Sequence, residues 1–487
     1  MHEFARTERT FILGCRRKRI KWGAPIVTAG CNLKSCIFVH SIWTLIGRLA
    51  ACWRLTIPFL PTRFRDGDSS LTGDIRNPLL RRKMPELDTL RGVAILAVVF
   101  YHGFSQCDTT GLPGIVRAFF AASRFGWLGV NLFFVLSGFL ITGILLDSRE
   151  TPRYYKSFYL RRALRILPAY LLLLLLLLLL PRLGVVQGRI SWSFVGLSLI
   201  YLSNLTNFFG VAMQYGPLWS LAVEEQFYLL WPAAVRNLSR RALAFCALAV
   251  FLGCPLLRAI AFAYGHPAEV WYTWMVADGL ASGSLLAISS RTLLTNRRSM
   301  KWFSVLCITT SLSLIAAGAR FGTLSPAPPS TLLAASLRWT LFNVLFTGAL
   351  GAALLLGASR WAQIVQRPVL QFFGEISYGL YLIHTLVFEV TGHFLAPVAI
   401  RLAQLTVWGD APLTPLLIRF LVGAGCATLI ALLSRRYFEE SFLKLKDKWA
   451  AATVESAPRP NRAPVETVAA QPAMRTSRAE PHCIPGD

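Results

Sequence analysis

The sequence predicts an all-α fold: a polytopic integral membrane protein with about ten transmembrane helices and one re-entrant or interfacial segment. Three observations predict it. Of 487 residues, 54% are hydrophobic and only 15% charged, where a soluble chain would carry roughly a quarter charged. The mean hydropathy is +0.51. Apolar runs of about 20 residues, enough to cross a hydrocarbon core, recur along the chain with basic residues collected between them. The net charge of +26, from 50 basic and 24 acidic residues, therefore reports membrane topology. It excludes a nucleic-acid partner, because the arginines sit in short loops flanking apolar runs.

Residues 1–83 form a basic N-terminal extension unlike the rest. They hold Cys15, Cys31, Cys36 and Cys52, and the apolar stretch 37–60 is interrupted by His40, Arg48 and Arg54. That stretch suits neither a span nor a signal peptide. The expected native start is Met84, and the competing reading is a genuine basic cytoplasmic extension. Ten spans follow, near 86–106, 126–147, 166–183, 217–235, 241–263, 270–290, 301–319, 333–357, 372–398 and 413–433. Leu171–Leu180 are ten consecutive leucines, read as lipid-facing filler. Segment 192–210 is softer, with Ser191, Ser193, Ser198, Ser203, Asn204, Thr206 and Asn207. The tail, 448–487, is rich in Ala, Pro, Arg and Glu and reads as disordered.

Arginine placement selects the topology. The loops after residues 147, 235, 290, 357 and 433 carry Arg161/Arg162/Arg165, Arg236/Arg240/Arg241, Arg291/Arg297/Arg298, Arg360/Arg367 and Arg435/Arg436. All are cytoplasmic if 192–210 does not cross, so that segment is expected to be re-entrant or interfacial. The cysteines of the core, Cys246, Cys254, Cys307 and Cys426, lie in apolar runs as packing residues, and no Cys/His ligand set suggests a metal.

The first span, Asp88 to His102, organises the chemistry. It carries Arg91 near one end and His102 near the other, and both need a partner, a wet cavity or an interface. The rise between them is about 16 Å, half the bilayer core, so they serve different tasks on one path. In the outer half, His102, Asn131 and the adjacent acids Glu224 and Glu225 form an expected polar cluster. On the inner side Arg91, Arg162, Arg165, Arg435, Arg436 and Glu439 form an expected anion grip, because guanidinium binds phosphate through paired hydrogen bonds. His384 reads as a buried histidine near mid-membrane on the span with Glu375, and Ser137-Gly138 as a small pair permitting close helix approach. Taken alone, these residues fit either a transporter or an enzyme that takes a phosphate-bearing donor from the cytoplasm and serves an acceptor near the far face.

The motifs then add a resemblance. Leu87-Asp88-Thr89-Leu90-Arg91-Gly92 with His102, Gly129 to Leu140, Arg162-Ala163-Leu164-Arg165-Ile166-Leu167-Pro168, Trp219 to Tyr228, and Ile376 to His384 occur in order. Over about 84–447 the chain resembles the acyltransferase-3 membrane O-acyltransferases, a group that includes bacterial O-antigen and exopolysaccharide acetyltransferases. Asn131 stands where many members carry an acid. The resemblance implies transfer of an acyl group, usually acetyl, from acyl-CoA as co-substrate to a carbohydrate hydroxyl, with no bound cofactor. It implies a multi-pass protein of the bacterial inner membrane, in contact with lipid and with a carbohydrate or glycolipid acceptor such as a lipopolysaccharide or exopolysaccharide unit. His102 and Arg91 are then the essential pair, and Arg162 and Arg165 lie near the donor. Glu224 or Glu225 orients the imidazole or binds sugar hydroxyls. Asn131, Tyr228 and His384 are expected at the substrate. The competing function class is a permease without covalent chemistry.

Overall fold

Pro85 opens the first helix because its fixed φ suits the first turn and its missing N–H is one the helix leaves unpaired anyway. The computed structural model describes residues 77–444, apart from Arg82, 105–113, 187, 189, 266–270, 321–330, 406–412 and 443. The readings made for residues 1–76, for Cys107 and for the tail fall outside the described residues. Among those described, no strand occurs. The elements are α1 Pro85–Phe104, α2 Gly114–Ser123, α3 Leu128–Asp147, α4 Tyr154–Leu179, α5 Trp192–Leu199, α6 Leu218–Asn237 and α7 Arg240–Ala263. They continue with α8 Asp278–Ser289, α9 Arg297–Arg320, α10 Leu332–Gly357, α11 Pro368–Glu375, α12 Ser377–Leu405 and α13 Leu413–Leu433.

Among the described residues, 7 helical stretches are long and apolar enough to cross a membrane. They correspond to seven of the ten predicted spans, and the other three segments are helical but differ for visible reasons. Helix α6 carries three consecutive polar residues, Glu224, Glu225 and Gln226, within its apolar run. Helix α8 has 12 residues, a rise of about 18 Å. The span predicted over 372–398 breaks at Ile376, so Glu375 ends α11, and the 29-residue α12 carries His384, Glu389 and His393 within its apolar run. Segment 192–210 folds as the 8-residue α5 and a 3-10 turn over Ser203–Phe209, too short to cross. Its polar groups are used internally: Ser203 donates to the Leu218 carbonyl, and Gln226 donates to Tyr201 O and Asn204 Oδ1 at 2.8 and 2.9 Å. The leucine run is only half filler. Leu173, Leu174 and Leu177 are buried against Phe194, Tyr215, Leu218 and Leu382, while Leu171, Leu172, Leu175 and Leu179 face outward, as helical periodicity dictates.

Two crossings set the positions of the site residues. Helices α3 and α8 meet backbone to backbone: a Cβ on Gly138 would collide with the Leu280 carbonyl, and one on Gly283 with the Val135 carbonyl. Helices α1 and α11 meet in the same reciprocal way, Gly92 against Leu370 and Gly374 against Asp88. Small residues let membrane helices approach closely enough for dispersion and polar contacts to hold them. The first crossing turns Ser137 inward. The second brings Arg91 against the start of α12.

Packing ahead of Met84 is seen from Asn77 onward. Leu79 is fully buried, Asn77 donates to the carbonyls of Ser290 and Leu294 at 2.7 and 3.1 Å, and Arg81 pairs with the fully buried Glu86. A chain beginning at Met84 is therefore expected to melt lower in detergent than one beginning at Arg76. The deficit is about 2–5 kcal/mol for the lost leucine alone. Equal melting temperatures for the two chains would show that residues 77–81 contribute nothing.

Candidate active site

Three cavities follow one another through the bundle. The first is a basic mouth of about 400 Å³, lined by Arg91, Arg161, Arg162, Arg165 and Arg435 together with Asp88, Glu375 and Glu439. Five guanidinium groups against three carboxylates leave an excess of positive charge in a partly enclosed space. Anions bind such a site well, since each arginine offers a rigid fork of donors. The R-x-x-R spacing on α4 places Arg162 and Arg165 on one helical face, and Arg162 lies over the Tyr228 ring at 4.6 Å from its centroid. Arg91 donates to Ser377 Oγ at 2.9 Å and reaches Asp88 at 3.4 Å.

The second space is a narrow central chamber of about 140 Å³ that shares Arg91, Arg162, Arg165 and Tyr378 with the mouth. Its walls mix apolar side chains, Val130, Phe133, Phe134, Leu140, Ile166 and Leu221, with polar ones that include Ser137, Ser220, Glu224, Tyr228 and Tyr381. Glu224 accepts from Ser137 at 3.1 Å and from Tyr228 at 3.0 Å. Tyr381 is hydrogen-bonded through its hydroxyl to Ser220.

The third cavity, of about 510 Å³, opens on the far side of Tyr381 and Val130, which line both it and the chamber. His102 lines it, surrounded by Tyr101, Trp127, Trp219, Trp271, Trp339 and Tyr381, with Arg338 the one cation among its lining residues. The basic mouth and this aromatic cavity share no residue. Helix α1 spans the distance between them, with Arg91 in one and His102 in the other.

The imidazole of His102 is held from behind. Its Nδ1 lies 3.0 Å from the Val98 carbonyl and 3.1 Å from Nε2 of His384. The two rings are 4.7 Å apart between centroids and inclined at 66°. His384 is fully buried, and its Nδ1 lies 3.1 and 2.8 Å from the carbonyls of Leu380 and Tyr381.

The predicted residues are thus redistributed. Arg91, Arg162 and Arg165 come together at the mouth, with Arg435 and Glu439, whereas Arg436 does not line it. His102 stands apart from the acids expected beside it. Glu224 faces the central chamber and touches Ser137 and Tyr228, not the imidazole. Glu225, about 100° further round the helix, lines none of the three cavities. Asn131 lines none of them either: it is buried and donates to Asn343 at 2.8 Å, joining α3 to α10. Tyr228 belongs to the arginine side, not to the aromatic cavity. His384 is not solitary, and being fully buried against His102 it lies behind the cavity wall, not in it. Ser137 packs at a close crossing as expected and also serves Glu224, a contact its sequence neighbours do not announce. The four tryptophans of the far cavity come from four separate segments, so no single motif marks them together, although Trp219 opens one of the motifs. Among the described residues no cluster of three His, Cys, Asp or Glu side chains could hold a metal.

Comparisons with known proteins bear on the family of the chain. The model of the acyltransferase domain matches residues 84–436. The chain is 28% identical over 393 residues, 75% of its length, to the peptidoglycan O-acetyltransferase of Listeria monocytogenes. It is 30% identical over 214 residues to a putative peptidoglycan O-acetyltransferase of Bacillus subtilis, and 34% identical over 168 residues to a putative O-acetyltransferase of Staphylococcus aureus. Those matches cover 39% and 32% of this chain. It spans 56%, 31% and 25% of the three relatives' own lengths. No solved structure matches the chain. Multiple apolar helices and a match over most of the length lead to one conclusion: the chain belongs to the acyltransferase-3 family and is a multi-pass membrane protein.

Proposed function

We propose that this enzyme moves an acetyl group from acetyl-CoA, held at the basic mouth, to a carbohydrate hydroxyl held in the aromatic cavity beside His102. The observation that carries the reading is the spacing of the two ends. Arg91 and His102 are about 16 Å apart along α1, and an extended pantetheine arm reaches roughly 15–20 Å by the dimensions of a peptide chain. Phosphates gripped by Arg91, Arg162, Arg165 and Arg435 would leave the thioester near Tyr381, where chamber and far cavity meet. Flat aromatic faces suit the C–H faces of sugar rings, and an imidazole at the cavity wall suits removal of a hydroxyl proton.

The names of the relatives favour a peptidoglycan-type glycan over the lipopolysaccharide or exopolysaccharide unit expected from the motifs. By the positive-inside rule, the basic loops support a mouth on the cytoplasmic side of a bacterial inner membrane and a His102 cavity on the opposite side. The reaction is then direct. Nε2 of His102 takes the hydroxyl proton, the hydroxyl oxygen bonds to the thioester carbon, the C–S bond breaks, and the leaving thiolate is protonated. A permease with the same cavities would leave the acyl group unbound to sugar. Purified enzyme in vesicles, given acetyl-labelled CoA and glycan strands, separates the two readings: label on the glycan supports transfer, and its absence removes the proposal.

The donor assignment carries its own prediction. Arg162→Ala removes one charge-assisted contact, worth about 1.5–3 kcal/mol. It is expected to raise the KM for acetyl-CoA by about 10- to 100-fold with little change in the KM for the glycan. An unchanged donor dependence would take Arg162 out of the phosphate grip.

A further inference from the structure

His384 is a fully buried titratable side chain on α12, 282 residues from His102 in sequence, and it contacts His102 directly. Hydrogen-bond bookkeeping decides what that contact is. Nδ1 of His384 faces two carbonyl oxygens, of Leu380 and Tyr381. Carbonyl oxygens only accept, so this nitrogen carries the proton, and in the neutral ring Nε2 is bare. Nδ1 of His102 faces the Val98 carbonyl and that bare Nε2. Both neighbours accept, so Nδ1 of His102 carries the proton too. The reverse arrangement would set a bare nitrogen against a carbonyl oxygen in each ring, or would require a cationic ring at His384. No described acid bonds to His384.

We propose that His384 is the positioning partner of His102: its neutral ring accepts the Nδ1 proton of His102, fixing the tautomer whose bare Nε2 faces the aromatic cavity as the base. This rests on the acyl-transfer reading. It assigns to a second imidazole the orienting task that a carboxylate performs in a Ser-His-Asp triad, while Asn131 is turned toward Asn343. During transfer the hydroxyl proton moves to Nε2 of His102 and then to the departing thiolate. The Nδ1 proton stays where it is, so His384 begins and ends neutral. A neutral acceptor suits this interior, because a carboxylate there would need a counter-charge that the neighbouring Val98, Leu380 and Tyr381 do not supply. Tyr381 joins the two tasks: its carbonyl anchors His384, and its ring walls both the chamber and the cavity.

The test pairs a tautomer measurement with a rescue, on the full chain in lipid vesicles. Ring nitrogens of ¹⁵N-histidine are read by magic-angle-spinning NMR, with the His102 signal identified by its loss in His102→Ala. The expected signal is a protonated Nδ1 and a bare Nε2. A protonated Nε2 on resting His102 would overturn the proposal, and this result stands even if the enzyme proves to transfer no acyl group. In the activity arm, His384→Asn removes the atom facing His102 and is expected to lower kcat about 100-fold with the KM for acetyl-CoA unchanged. His384→Gln sets an amide oxygen near the lost Nε2 and is expected to recover activity to within about tenfold of wild type. Equal activity of the Asn variant and wild type, or equal loss in the Asn and Gln variants, would reduce His384 to a packing residue.

Discussion

Replacing His102 by alanine is expected to lower acyl transfer by about 1,000-fold, within the range a lost general base produces. Donor binding should survive. The cavity that holds His102 and the mouth that holds Arg91 share no lining residue, and the imidazole stands in the last turn of α1 with contacts to Val98 and His384. Fluorescent CoA binding and single-turnover transfer on the same preparation separate the two effects. Retention of more than a tenth of the wild-type rate would remove His102 from the chemistry. Loss of CoA binding along with activity would mean that the bundle had been disturbed and that the two ends are not independent.

The largest effect on stability is expected at Arg258, far from the basic mouth. It is fully buried on α7 and donates to Asp278 Oδ2 at 3.0 Å, to Thr340 Oγ1 at 2.6 Å, to the Ser336 carbonyl through two nitrogens, and to the Met275 carbonyl. Asp278 is equally buried and also accepts from Thr340 at 2.7 Å. Arg258→Ala leaves that carboxylate without its counter-charge, which costs about 3–5 kcal/mol. Detergent melting should fall accordingly. The pair Arg258→Met with Asp278→Leu should cost less than the sum of the single changes, since two groups in one network couple. Unchanged melting in Arg258→Ala would contradict the assignment. The knot has a functional side, because Arg338 and Trp339 of the aromatic cavity sit on α10 between Ser336 and Thr340. Loosening it should therefore weaken acceptor use before donor use.

Much of the path was legible from spacing alone. Arg91 and His102 share one apolar run, so helical rise sets their separation. Arg162 with Arg165, and Glu224 with Tyr228, sit at i,i+3 and i,i+4 and meet for the same reason. What spacing cannot report is which way a helix is turned. Glu224 and Glu225 looked equivalent, yet packing of α6 against α3 turns the first to Ser137 and the second away. Asn131 looked like a cavity residue because its side chain is polar, yet a second amide, 212 residues further on, satisfies it inside the bundle. His384 looked solitary because its partner is on another helix. The span containing it looked continuous because the break at Ile376 carries no proline or glycine of its own. Long-range contacts of this kind depend on helix rotation and register, which emerge only when small residues such as Gly138 and Gly283 let particular faces touch.

The central claim is a single passage, donor on one side and acceptor on the other. The most direct measurement uses sealed vesicles holding oriented enzyme, with acetyl-labelled CoA present only on the side of the basic mouth and glycan strands only on the side of His102. Labelled glycan is expected, with none formed when the two substrates exchange sides. Labelled glycan only when both substrates share one compartment would contradict it.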